Sequence, residues 1–127
     1  MHSQKHSGWM MEWTSYIHNA IGIIIFWQPL ADIFKNGVWN AVVFHYDRAV
    51  VFWFLFFGIL MWILGRHMRW LTAEKKLVLP KSLGWHITIV AVAGAFCLPV
   101  SGFWLVILQG IYLIRGASKQ NAPRILT

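Results

Sequence analysis

The stretch from Ala49 to Gly65 constrains the fold of this chain most strongly, because it reads AVVFWFLFFGILMWILG without one polar side chain. Arg48 and Arg66 bracket it. A helix that is apolar on every side offers no face to water. An uninterrupted apolar run between two cations is typical of a membrane-spanning helix. We therefore predict a transmembrane helix here.

The composition indicates that the rest of the chain shares this environment. Of its 127 residues, 58% are hydrophobic, 17% are aromatic and only 12% are charged. A soluble protein of this size has a large surface relative to its volume and cannot bury nine Trp and nine Phe in one core. The composition therefore favours an integral membrane protein over a soluble one.

Three further apolar runs predict three more spans. No acidic residue, Lys or Arg occurs between Glu12 and Asp32, and Pro29 lies near the far end of that run, where a missing backbone donor is tolerated. The run from 82 to 114 also lacks such charges, but Pro-Val-Ser-Gly at 99–102 interrupts it. Unpaired backbone groups cannot lie in hydrocarbon, so the interruption predicts a turn between a third and a fourth helix.

The predicted fold class is an all-α membrane protein with four transmembrane helices in two helical hairpins. Residues 1–115 form the single transmembrane domain, and residues 116–127 form a polar cytoplasmic tail. Val38, Val42 and His45 recur at helical spacing after Gly37, which predicts a short interfacial helix between the first two spans. We expect Trp39 on this helix to cover the turn at 99–102.

The distribution of Lys and Arg predicts the topology. Eight of the eleven lie in the 65–83 connection and the C-terminal region, whereas the 32–48 connection carries two and the 99–102 turn carries none. Positively charged connections stay in the cytoplasm. Both termini and the 65–83 connection are therefore expected to be cytoplasmic.

The net charge of +7 and the single cysteine exclude other classes. The basic residues cap apolar runs rather than forming a stripe, and no nucleic-acid-binding signature accompanies them, so we expect anionic lipid headgroups as partners and no nucleic acid. Cys97 alone permits neither an intrachain disulfide nor a site built from several thiolates.

Three segments, at 48–65 (RAVVFWFLFFGILMWILG), 79–85 (LPKSLGW) and 98–106 (LPVSGFWLV), resemble a family of small bacterial four-helix integral membrane proteins. The resemblance extends over about residues 8–115. It implies a multi-pass protein of the bacterial inner (plasma) membrane. The family is uncharacterised, so the resemblance implies no activity and no catalytic residue.

Polar residues inside the predicted spans are candidates for a ligand site, because such groups are costly in a membrane. On the first helix they fall within an arc of about 120°, and others lie at a similar depth on the third and fourth helices: Glu12, Ser15, His18, Asn19, Gly22, His86, Thr88 and Gln109. One interpretation is a cytoplasm-facing polar pocket centred on His18, with a small ligand or a proton relay. The alternative is hydrogen bonding between helices. Two histidines, His18 and His86, would also suit haem as axial ligands, but nothing specific supports it.

A second polar cluster lies on the predicted outer side, and comprises Asp32, Trp39, Asn40, His45, Tyr46, Asp47 and Arg48. Asp32, His45 and Asp47 have the ligand chemistry of a divalent metal site. Pairing of a carboxylate with Arg48 explains the same residues without a metal. We assign no metal and no cofactor. The start of the chain, with His2 and His6, is expected to be disordered.

These features favour a non-enzymatic binding or transport module for a small or lipophilic ligand. Small residues suited to close helix contact, namely Gly58, Gly65, Ala91 and Ala95, favour a homo-oligomer or a membrane partner protein. One alternative is a small membrane enzyme with a lipophilic substrate, in which His18 is the acid or base and Glu12 or Asn19 orients it. Another is an accessory subunit whose second helix packs on a larger complex.

Overall fold

The computed structural model describes residues 4–120, and the side chains up to residue 119. Within that range the chain is all-helical, as predicted. The helices are α1 (Ser7–Ile25), α2 (Trp27–Lys35), α3 (Tyr46–Arg69), α4 (Lys81–Cys97) and α5 (Phe103–Gln120). A π-helical segment, Trp70–Glu74, continues α3.

The helices form two antiparallel pairs, α1 with α3 and α4 with α5. Along α1, Gly8 faces Arg69, Glu12 faces Gly65 and Asn19 faces Gly58, so the residue numbers fall on α3 as they rise on α1. In the second pair, Gly84 faces Ile114 and Gly94 faces Phe103. α1 also packs on α5, and thereby joins the two pairs.

This pairing gives the molecule two chemically different ends. The basic end holds the start of α1, the π-helical segment, the start of α4 and the end of α5. The turn end holds α2, residues 36–45, the start of α3 and residues 98–102 between α4 and α5.

Small residues bring the paired helices into backbone contact. A Cβ on Gly65 would lie 2.8 Å from the backbone nitrogen of Glu12 and 3.0 Å from the carbonyl oxygen of Gly8. Ala91 and Ala95 on α4 are also buried. The small residues that suggested contact between chains therefore serve contact within this chain.

Gln4 connects the start of the chain to Leu79, just before α4, and to Leu113 on α5. Its side chain is only 2% exposed. The amide Nε2 donates to the carbonyl oxygens of Leu79 (3.2 Å) and Leu113 (3.0 Å), and Oε1 accepts from the Leu79 backbone N–H (2.8 Å). The prediction of a disordered start is therefore wrong from residue 4 onwards. His6 is exposed, and His2 lies outside the described residues.

The first predicted span is broken near its end. α1 ends at Ile25, α2 begins at Trp27, and the helix axis turns by 77° between them. Pro29 supplies the cause, because a proline ring clashes with the carbonyl four residues earlier, here Ile25, and cannot donate to it. The prediction of a single helix from Glu12 to Asp32 was therefore wrong.

The short helix between the first two long helices is α2, which precedes Gly37 instead of following it. Residues 36–45 form turns, with left-handed φ angles at Val38 (63°), Asn40 (58°) and Phe44 (65°). Trp39 is 92% exposed and Val100 is also fully exposed, so Trp39 does not cover the 99–102 turn. The predicted helix after Gly37 and the predicted cover of the turn by Trp39 were both wrong, because the bend at Pro29 places the short helix before Gly37.

The C-terminal helix runs past the predicted end of the domain. α5 continues to Gln120, and Gly116 and Ala117 are buried. The predicted polar tail therefore begins inside a packed helix at 116, and its residues 121–127 lie outside the described part.

One helix of the described chain, Tyr46–Glu74, is long and apolar enough to cross a membrane, with a mean hydropathy of 2.0. The bent pair α1 and α2 passes the same test only when taken together, and α4 is a shorter apolar helix.

The glycine contact at Gly65 generates a stability prediction. Gly65→Ala should lower the free energy of unfolding by about 1–3 kcal/mol, because the new methyl group meets the backbone of Glu12, which cannot move aside without separating the helices. Unfolding in mixed detergent micelles, followed by circular dichroism, measures this. The control is Gly102→Ala, where a Cβ has open space, and an equal loss in both variants would contradict the prediction.

Candidate functional site

The predicted arc of polar residues on α1 faces α3, but each of these residues makes its own contact. Glu12 is 4% exposed, and its Oε1 lies 3.2 Å from Nε of Arg69 on α3. Ser15 is fully buried and donates its hydroxyl to the carbonyl of Glu12 at 2.9 Å. The carboxylate is thus neutralised by Arg69 at the basic end.

Thr14 and Gln109 form a buried polar contact between α1 and α5. The amide nitrogen of Gln109 donates to the Thr14 hydroxyl, which donates to the carbonyl of Met10 at 2.9 Å. Gln109 is 4% exposed, and its Oε1 has no hydrogen-bond partner among the described residues. The sequence interpretation included Gln109 but missed Thr14, whose signal was its position one helical turn before His18.

His18 on α1 faces α3. Its Nε2 lies 3.0 Å from the carbonyl oxygen of Phe54. Because a carbonyl only accepts, Nε2 is the donor in this contact, and an imidazole protonated at Nε2 alone keeps Nδ1 as an acceptor. The imidazole stacks on the Phe54 ring, with 3.9 Å between ring centroids and 8° between planes. The same Phe54 ring also lies against Gly22.

A cavity of about 580 Å³ lies beside His18 and reaches the turn end. Its wall is almost wholly apolar, and only Thr14, His18 and Ser101 contribute polar side chains. The lining residues come from α1, α3, the 98–102 turn and α5: Thr14, Ile17, His18, Ile21, Ile25, Val50, Trp53, Phe54, Phe57, Met61, Leu98, Val100, Ser101, Gly102, Phe103, Leu105 and Val106. The geometry thus differs from the expected polar pocket at the basic end, where Glu12 is held by Arg69.

The other predicted ligand residues lie away from this cavity. Asn19 packs against Gly58, and its buried Oδ1 has no partner within the described range. Thr88 donates to the carbonyl of Gly84 at 2.8 Å in the contact between α4 and α5. His86 is exposed on α4. His86 and His18 therefore do not share a site, which removes the arrangement that would suit haem.

The outer polar cluster is not assembled. Asp32 lies 3.9 Å from Lys35, and Nη1 of Arg48 donates to the carbonyl of Ala41 at 2.9 Å, so neither aspartate pairs with Arg48. The other side chains point to the surface: Trp39, Asn40, His45, Tyr46 and Asp47 are exposed. Across residues 4–120 no group of three or more His, Cys, Asp or Glu is placed to hold a metal ion. Asp32, His45 and Asp47 are therefore not brought together in this structure.

The fold and the cavity define a small all-helical protein with an apolar cavity and one histidine in its wall. The chain belongs to DUF6463, a family of unknown function whose model matches residues 2–120. No curated protein and no solved structure matches it significantly. The predicted membership of an uncharacterised family is thereby confirmed.

The ion pair between the buried Glu12 carboxylate and the partly exposed Arg69 generates a second stability prediction. Arg69→Met should lower the free energy of unfolding by about 3 kcal/mol, because it leaves the Glu12 carboxylate buried without its cation. The double variant Glu12→Gln/Arg69→Met should recover part of the loss. Denaturant unfolding measures both. Arg66→Met is the matched control, since Arg66 is exposed, and a loss as large as that of Arg69→Met would refute the ion-pair explanation.

Proposed function

We propose that this chain is an integral membrane protein with four spans that binds a lipophilic ligand in the cavity beside His18. The spans are α1 with the bent α2 at its end, α3, α4 and α5. The observation that carries the ligand proposal is the apolar cavity with an imidazole in its wall.

Exposed apolar side chains support the membrane location. Large apolar residues are exposed along every long helix, including Ile24 (76%), Trp53 (64%), Val90 (61%) and Phe96 (86%). A soluble monomer rarely exposes apolar surface of this extent. The helices have 19, 24, 17 and 18 residues. These lengths correspond to roughly 25–36 Å, against about 30 Å for the hydrocarbon core.

The proposed orientation in the membrane follows from the different charges at the two ends of the molecule. Antiparallel pairing gathers cations from distant parts of the sequence at the basic end: Lys5, Arg66, Arg69, Lys75, Lys76, Lys81, Arg115 and Lys119. At the turn end, Lys35 and Arg48 are offset by Asp32 and Asp47. The positive-inside rule places the basic end in the cytoplasm.

The cavity wall supports a specific ligand chemistry. Its volume lies within the range of small-molecule sites. The apolar wall suits a hydrocarbon body, and Nδ1 of His18 accepts one hydrogen bond from a hydroxyl or amine head. His18 contacts a main-chain carbonyl, Glu12 pairs with Arg69, and Asn19 packs against Gly58. Neither of the residues expected to orient a catalytic His18 therefore makes a hydrogen bond to it in the described part of the chain. These contacts favour binding over acid–base catalysis.

The proposed topology is tested by cysteine labelling in intact cells. With Cys97 replaced by alanine, Lys75→Cys at the basic end should resist an impermeant thiol reagent, and Asn36→Cys at the turn end should react, because both positions are exposed but on opposite sides of the membrane. Permeabilised cells supply the control, in which both cysteines should react. The reverse pattern would overturn the orientation, and release of the chain by alkaline carbonate would overturn the membrane proposal.

The ligand proposal is tested by native mass spectrometry of protein released gently from membranes. The wild-type chain should carry the additional mass of a lipophilic ligand. In His18→Ala, ligand retention should fall roughly tenfold, the effect of losing one hydrogen bond of about 1.4 kcal/mol. Ile21→Trp should also expel it by filling the cavity. His86→Ala is the control, because that histidine is exposed and distant. Retention of the ligand in both His18→Ala and Ile21→Trp would refute the site.

A further inference from the structure

We infer that the basic end carries a second site, which binds the headgroup of an aminophospholipid. The inference rests on the proposed membrane location and is independent of the cavity beside His18. It begins from a separate cavity of about 350 Å³, lined by Arg66, His67, Arg69, Trp70 and Glu74.

This cavity lies at the depth of lipid headgroups. Arg48 and Arg66 bracket the apolar run of α3. Arg66 lies eighteen positions after Arg48 on the same helix, a rise of about 27 Å, which is close to the hydrocarbon thickness of about 30 Å. Arg66 therefore marks the boundary, and the cavity continues from it into the π-helical segment Trp70–Glu74.

Two guanidinium groups provide the phosphate half of the site. Arg66 is exposed and makes no ion pair within 4.0 Å in the described part of the chain. Nε of Arg69 lies 3.2 Å from the buried Glu12 carboxylate, while the Arg69 side chain stays 39% exposed and lines the cavity, so its guanidinium is accessible to a second anion. Arginine binds phosphate oxygens through such paired N–H groups.

Glu74 provides the ammonium half. Its carboxylate lines the same cavity, yet it pairs with neither arginine, because no ion pair joins them within 4.0 Å across residues 4–120. A purely anionic headgroup would meet repulsion from Glu74. A zwitterionic headgroup places its phosphate on the arginines and its primary ammonium on the carboxylate.

A π-helical turn forms part of the cavity wall. The Lys75 backbone N–H donates to the carbonyl of Trp70, five residues earlier, at 3.1 Å. Trp70 and Glu74, the first and last residues of this turn, both line the cavity, and π-helical turns frequently occur at functional sites. Nζ of Lys75 lies 5.0 Å from the centroid of the Trp70 ring.

Native mass spectrometry with an equimolar mixture of dioleoyl phosphatidylethanolamine, phosphatidylglycerol and phosphatidylcholine tests the site. The wild-type chain should retain phosphatidylethanolamine several-fold over the other two. Arg66→Ala should reduce its retention roughly tenfold, the scale of one charge-assisted hydrogen bond. Arg69 is left intact, because it also neutralises Glu12.

Glu74→Gln is the decisive variant. It should abolish the preference for phosphatidylethanolamine over phosphatidylglycerol, while total phospholipid retention persists. Lys119→Ala is the matched control for Arg66→Ala, since it removes one exposed cation from the same end outside the cavity. Equal effects of these two variants, or an unchanged preference in Glu74→Gln, would overturn the inference in favour of general surface attraction.

A water-soluble competitor separates a lipid from a free metabolite. Excess phosphoethanolamine should not displace the lipid, because it lacks the acyl chains that hold the headgroup at this depth, and full displacement would overturn the lipid assignment. His18→Ala should leave the headgroup preference unchanged. A chain that fails the membrane-extraction test refutes the proposed function, whereas a membrane-embedded chain without headgroup preference refutes only this inference.

Discussion

The direct contact between helix backbones at glycine positions is the constraint on which the rest of this structure depends. Gly8, Gly58 and Gly65 let α1 and α3 approach closely, and Gly84 and Gly110 do the same for α4 and α5. In the lipid environment that we propose, no hydrophobic force draws helices together, so dispersion contacts between closely packed backbones become the main attraction. Each pair is therefore stabilised along its length by small residues, while the large aromatic side chains remain on the surface.

Close pairing also decides where polar groups lie. Since α1 and α3 run antiparallel at this distance, Glu12 meets Arg69 at one level and His18 meets the Phe54 carbonyl at another. The Glu12 carboxylate is enclosed at the basic end, whereas the imidazole borders the apolar cavity that extends to Ile25, next to the bend. A single face of one helix thus contributes both to stability and to a candidate binding site.

Parts of this arrangement could be predicted from sequence, and physical reasons separate them from the rest. The helix α3 was predictable because its apolar run between Arg48 and Arg66 permits no other structure in a membrane-like composition. The bend was not, because Pro29 was assigned to a tolerated helix end instead of to a clash with Ile25. The arc of polar residues on α1 was correct as a face, but which partner each residue meets depends on interhelical register. Glu12 and Arg69 are far apart in sequence, and no local pattern relates them. The roles of Thr14 and Gln4 were not predicted, because an isolated polar residue carries no periodic signal.

The buried Gln4 side chain has a consequence for how the chain is made. Its amide bonds with Leu113, 109 positions later in the sequence. The amino-terminal segment consequently cannot reach its final position until the ribosome has made nearly the whole polypeptide and α5 has formed. Closure of the long loop between these residues is a late event, so α1 and α3 are free to associate first during synthesis. The Gln4 amide then connects the amino-terminal segment to α5 through its hydrogen bond to the Leu113 carbonyl.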